Sequence, residues 1–188
     1  MKKMKKTFAV WLLIMFMATF ASSLVYLISQ RSLRLGADEL PVLLANTVLT
    51  RLKSEQSPKS SIPSEKVDIS TSLSAFVMVY DSDKDLIASS GNMRGSQPLY
   101  PAGVLDNIGK DNESRVTWQP DKGLRFASVA IRYNNGYVVA ARSLTEVEKI
   151  TSTIGKLIIL AWLACAVFSG LVLGAAYLLT GKQEAKIE

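Results

Sequence analysis

Thr7–Ile28 reads TFAVWLLIMFMATFASSLVYLI, a run with no charged residue and only a few hydroxyls. Twenty-two residues at the helical rise make roughly 33 Å, enough to cross a hydrocarbon core of about 30 Å. Lys2, Lys3, Lys5 and Lys6 stand directly before it. Basic residues beside a span resist translocation, so this end is expected in the cytoplasm and the chain is expected to emerge outside near Ile28. A cleaved signal peptide would share the basic start and the small residues Ala21, Ser22 and Ser23. Its apolar region normally ends within about 7–15 residues, whereas this one continues through Leu24 to Ile28. The reading is therefore an uncleaved anchor.

Working outward, a second charge-free run, Leu157–Leu179, would reach roughly 35 Å as a helix. The expected layout is a basic cytoplasmic tail (1–6), a first transmembrane helix (7–28), an extracytoplasmic domain (29–156), a second transmembrane helix (157–179) and a cytoplasmic tail (180–188). Both termini are then expected inside. No Asp, Glu, Lys, Arg or His lies within either span, which argues against ion or proton transport.

The net charge of +6 is concentrated in the first six residues, because the 29–156 segment carries 16 basic and 14 acidic residues. Such a balanced segment has no footprint for nucleic acid. Cys165 is the single cysteine and lies in the second span, so no internal disulfide is available. It reads as a small packing residue. There is no histidine.

Within the domain, Leu40, Leu43, Leu44 and Val48 form a helical stripe. Pro41 predicts a helix beginning near Asp38 or Glu39, with a kink in one long helix as the alternative. Ser57–Ser64 is a loop by composition. Ser74–Asp81 (SAFVMVYD) and 86–90 (LIASS) read as strands around an Asp-rich turn. Asp81, Asp83 and Asp85 occupy the opening positions of a calcium-binding loop. Leu86 stands where that loop needs glycine, and Asn92 where it needs glutamate, so no metal site is expected. Pro101–Lys110 predicts a short helix. SRVTWQP (114–120), LRFASVAIRY (124–133) and YVVAARSL (137–144) predict three strands in an antiparallel meander. The turns between them are Asp121-Lys122-Gly123 and Asn135-Gly136. Ser143…Glu146 and Thr145…Glu148 match the helix capping box. The helix they open carries Val147, Ile150, Ile154 and Leu157 on one face and runs into the second span.

The fold class is thus α+β, with two transmembrane helices flanking an antiparallel-sheet domain that has long membrane-proximal helices. The VMVYDSDKDLIASSG segment, the short helix, the three following strands and the YVVAARSLTEVEKI exit resemble the extracytoplasmic PAS-like sensor domain (PDC or Cache type) of bacterial sensor histidine kinases and chemoreceptors. The resemblance covers about residues 30–155 and is one of pattern. It implies a sensory input domain. Only nine residues follow the second span, so the expectation is an input module without its own kinase.

Candidate site residues follow from chemistry. Arg125 and Arg142 could pair an anionic ligand, because the guanidinium fork holds a carboxylate through two hydrogen bonds. Trp118 and Tyr133 could line a pocket. Arg125 and Arg132 are seven positions apart and must face opposite sides of a strand. Solvated arginines and core aromatics are the simpler reading of all these residues. Ala166, Gly170 and Gly174 recur every four residues, a helix–helix interface pattern within the chain or between copies. Ala18 and Ser22 form a weaker counterpart. No catalytic residue and no cofactor is expected. The expected partners are the lipid bilayer, a small-molecule ligand, and either a second copy or a membrane-bound kinase or receptor. The rival expectation is an accessory envelope protein whose domain is a docking surface.

Overall fold

The structure is a computed structural model describing residues 2–108, 112–134 and 136–184, with side chains described within 6–179. In chain order the elements are α1 (Lys2–Lys53), α2 (Pro58–Ser61), β1 (Val67–Asp68), β2 (Phe76–Tyr80), β3 (Leu86–Ser89), β4 (Gly91–Asn92), α3 (Ala102–Asp106), β5 (Glu113–Asp121), β6 (Leu124–Tyr133), β7 (Gly136–Ser143) and α4 (Thr145–Glu184). They divide into a helix pair, Met1–Arg31 with Ile150–Glu188, and a sheet domain, Ser32–Lys149. The class is α+β, with an antiparallel five-stranded sheet and two helices long and apolar enough to cross a membrane.

The five long strands lie in the order β3-β2-β7-β6-β5. The first and last of them, β2 and β7, pair at the centre, from Phe76 opposite Ala141 to Tyr80 opposite Tyr137. Both are buried on both faces, which suits their unbroken apolar sequence. Pro120, which cannot donate to a ladder, is accommodated because β5 is an edge strand with a register shift between Trp118 and Asp121. The strands β1 and β4 form a separate parallel pair of two residues each, too short to leave a periodic signal.

Alternation along the strands builds two cores. Phe76, Met78, Trp118, Phe126, Val139 and Ala141 face one way and meet Ile69, Tyr100 and Leu105 from the covering segments. Val77, Val79, Val129, Ile131, Val138 and Ala140 face the other way and meet Ala45 and Val48 of α1.

Two sequence expectations are corrected here. No helix begins at Asp38 or Glu39: α1 is continuous, and Pro41 lies inside it, fully buried. The face that α1 buries is rotated from the expected stripe, of which Val48 is buried and Leu44 half-buried against the sheet. Leu40 and Leu43 are exposed, while Ala37, Pro41, Ala45 and Val48 are buried. Small side chains let a helix axis come close to a sheet, and the bulkier leucines flank the contact. The predicted short helix ends at Asp106. Its last two predicted positions, and Asn135 of the β6–β7 turn, lie outside the described residues.

In the helix pair, Trp162 Nε1 donates to Thr19 Oγ1 at 2.9 Å. A Cβ on Gly170 would lie 3.7 Å from Trp11 Nε1, and one on Gly155 would lie 3.5 Å from the Tyr26 ring. From Trp11 to Thr19 to Tyr26 the chain climbs eight and then seven residues, while Gly170 to Trp162 to Gly155 descends by the same steps. The two helices are therefore antiparallel in one fixed register. The half-buried line of α4 includes Ile154, Ile158, Trp162, Cys165, Ala166, Ser169 and Leu173; of the predicted stripe, Val147 and Ile154 are half-buried and Ile150 and Leu157 exposed. Thr19 Oγ1 and Ser23 Oγ donate to the carbonyls of Met15 and Thr19, so neither hydroxyl is left without a partner in an apolar setting.

We expect Thr19→Cys with Trp162→Cys, in a Cys165→Ala background, to be joined within one chain by a short bis-maleimide. Thr19→Cys with Leu173→Cys should not react. The measurement is mobility on a denaturing gel, and a band at twice the mass would refute the intramolecular register.

Candidate functional site

The point where the sheet hands over to α4 is built from residues 143–148. Ser143 Oγ accepts from Thr145 N at 3.3 Å and donates to Thr145 Oγ1 at 2.9 Å, which opens the helix. Leu144 N donates to the Arg125 carbonyl of β6 at 2.8 Å, and Glu148 N closes the first turn on the Leu144 carbonyl. Leu144 is buried with Ala127 of β6 and Ala37 of α1, and Val147 packs against them. One small cluster therefore touches the sheet, the incoming helix and the outgoing helix.

The two glutamates of the capping-box pattern are engaged by arginines. Glu148 Oε1 lies 2.6 Å from Arg125 NH1, and Glu146 Oε2 lies 3.4 Å from Arg142 NH2. Both pairs are solvent-facing, so each contributes about 0–1 kcal/mol. Their positions matter more than their strength. They fasten the first turn of α4 to β6 and β7.

The sequence-selected residues are thus separated. Arg125 and Arg142 both reach α4. Trp118 is buried on the opposite face of the sheet, between Tyr100 and Phe126 at ring-centroid distances of 5.4 and 5.6 Å. The three do not share a pocket. Arg132 lies on the Trp118 side, where NH2 donates to Tyr137 Oη at 3.1 Å and the guanidinium carbon sits 5.4 Å from that ring. It is on the other face from Arg125, as the seven-residue spacing requires. Gly170 faces Trp11, Ala166 is half-buried on the inward line of α4, and Gly174 lines a groove of about 280 Å³ with Thr7 and Trp11.

The aromatic face closes on a buried polar chain. Tyr100 Oη and Ser128 Oγ are 2.9 Å apart, Ser128 Oγ also reaches the Val116 carbonyl, and Tyr100 N donates to Tyr80 Oη at 3.2 Å. Burial pushes the Tyr80 phenol up to about 12 from an ordinary 10.0. An unfolded chain releases that proton first, so this group leaves stability unchanged below pH 10 and lowers it as pH rises from 10 towards 12. Alkaline difference absorbance should therefore show Tyr80 ionising together with unfolding, and Tyr80→Phe should extend the stable range upward.

Sequence reasoning missed a charged groove on the α1 side. Arg34, Asp38 and Arg115 line a cavity of about 180 Å³ beside Ala127 and Leu144. Burial is the main influence on Asp38 and holds its carboxyl above the usual range, although Arg115 and Arg34 pull the other way. The only sequence signal was the Arg34–Asp38 spacing of four on a helix.

The Asp-rich turn folds on itself. Asp81 Oδ1 accepts from the backbone N–H groups of Asp83 at 3.0 Å and Asp85 at 2.8 Å, and Lys84 takes a left-handed φ of 70°. This is the local side-chain-to-backbone bonding that makes aspartate a turn residue. The chain matches no family model, no curated protein and no solved structure.

Proposed function

We propose that this chain is a membrane-anchored sensory or regulatory module. Its sheet domain is PAS-like and lies outside the bacterial inner membrane, between two spans, with both termini in the cytoplasm. It binds a small ligand or an envelope partner, and it signals through α4 to a kinase or receptor in the membrane. Catalysis is not part of this reading.

One observation carries the proposal. The central strand β7 passes into α4 with only Leu144 between them, and that first turn is tied to β6, β7 and Ala37. A rearrangement in the middle of the sheet therefore acts on the start of a helix apolar enough to cross a bilayer. The strand, Asp-rich turn and second strand that open the sheet, and the central pairing of its first and last long strands, support the PAS-like assignment. A ligand shifts such an equilibrium only by its difference in affinity for the two states.

The test places photo-crosslinking residues along 157–179 in living cells. Adducts with a kinase or chemoreceptor are the expected result. Adducts confined to secretion or wall-building machinery would overturn it in favour of an accessory docking protein. Reporter fusions at Lys122 should be active outside the cytoplasm, and activity inside would refute the topology.

A further inference from the structure

The largest cavity described in the sheet domain, about 620 Å³, is neither the aromatic face nor the groove at α4. It opens where the end of α1, the Asp-rich turn and the β6–β7 turn converge. Its volume falls in the range of small-molecule sites, about 300–1,000 Å³. Leu52, Ile87 and the Tyr133 ring supply apolar wall, and Glu55 and Asp81 supply the charge. No lysine or arginine is among the described residues that line it. Among the described residues neither carboxylate has a basic partner within ion-pair distance. Asp81 uses Oδ1 for its own turn, and among the described residues no turn bond occupies Oδ2. Tyr133 is held above the ordinary phenol range by burial first and by the Asp81 charge second, so phenol and carboxylate share one field.

We infer that this cavity binds an organic cation with two ammonium groups joined by an alkyl chain, one ammonium for Glu55 and one for Asp81, the methylenes lying on Leu52, Ile87 and the Tyr133 ring. A bare metal ion would leave the apolar wall unused. An anion would meet two like charges. The inference deepens the sensory reading by naming a ligand class, and its test measures binding apart from signalling.

Full-length protein in detergent micelles, in amine-free low-salt buffer, is titrated calorimetrically with 1,4-diaminobutane, butylamine and 1,4-butanediol. The diamine should bind most tightly, butylamine about fivefold more weakly, and the diol not at all, since one solvent-facing charge pair gives at most about that factor. Glu55→Gln alters an exposed side chain, so its fold is expected to hold, with circular dichroism as the check. It should reduce the diamine to the affinity of butylamine. Added salt should weaken the diamine. Equal affinities for diamine and butylamine, no heat from the diamine, or unchanged binding by Glu55→Gln would each overturn the inference. If the diamine fails while α4 still crosslinks to a kinase, the ligand class falls and the sensory reading stands. If the diamine binds and no kinase or receptor is captured, the reverse holds.

Discussion

Gly136→Ala should abolish the folded sheet domain. Gly136 has φ +145°, a region that side chains rarely enter, and a Cβ there would stand 2.0 Å from the Tyr80 carbonyl oxygen and 2.7 Å from the Asp81 carbonyl carbon. These are backbone atoms at the end of β2 and in the residue after it, so no rotamer change relieves the clash. Either β7 leaves β2 or the turn opens. The cost is expected to exceed about 4 kcal/mol, against a total stability of about 5–15 kcal/mol for a domain. Circular dichroism of the full chain in micelles should lose its strand signal while the helical signal of the pair persists. Gly123→Ala is the control. Its φ of +82° is also left-handed, but nothing lies within 4 Å of the added methyl. It should cost only about 1–2 kcal/mol. Similar melting of the two variants would refute the close approach at Gly136.

Trp118→Ala comes next in size. The indole is 4 % exposed and meets Phe76, Tyr100 and Phe126 at centroid distances of 5.4–6.3 Å. Truncation removes the ring and leaves a void walled by other rings, which cannot collapse onto a methyl. A loss of about 3–5 kcal/mol is expected. Trp118→Phe keeps an aromatic ring and should lose less. The measurement is chemical unfolding of the full chain followed by circular dichroism. If Trp118→Ala melts like the parent, the aromatic cluster does not hold this face. A ligand that enters the face Trp118 occupies would also have to displace it, which is a further reason to look for binding elsewhere in the domain.

The elements were largely legible in the sequence because their signals are local. FVMVY, LRFASVAIRY and YVVAARS are dense in strand-forming residues and bounded by Asp- and Gly-containing turns, and all three are strands. The two apolar runs are long helices. What failed depends on a partner surface. Leu40 and Leu43 satisfy a helical period as well as Ala37 and Ala45 do, and only the closeness of the sheet decides between them. The α4 stripe is half met, with Val147 and Ile154 half-buried and Ile150 and Leu157 exposed, since a helix apolar all round over most of its length carries no period that singles out its contact face. Pro41 gave a sound local argument for a helix start that tertiary packing overrode. At the site, Arg125 and Arg142 were selected as ligand groups, and both meet glutamates 23 and four residues further along the chain. That pairing needs the first turn of α4 to fold back on the strands, which spacing alone does not reveal. The groove of Arg34, Asp38 and Arg115 and the cavity at Glu55 join residues far apart in the chain and leave no contiguous pattern.

The buried proline has a mechanical meaning. Pro41 brings no N–H to α1, so the Ala37 carbonyl lacks the bond it would otherwise receive from four residues ahead. Ala37 is the residue of α1 that touches Leu144 and Ala127. The bond that α1 forgoes is thus set against the first turn of α4. The rung that this ladder lacks falls inside the packed sheet domain, where the buried side chains of Ala37 and Pro41, and not a backbone bond, hold this part of α1 in place.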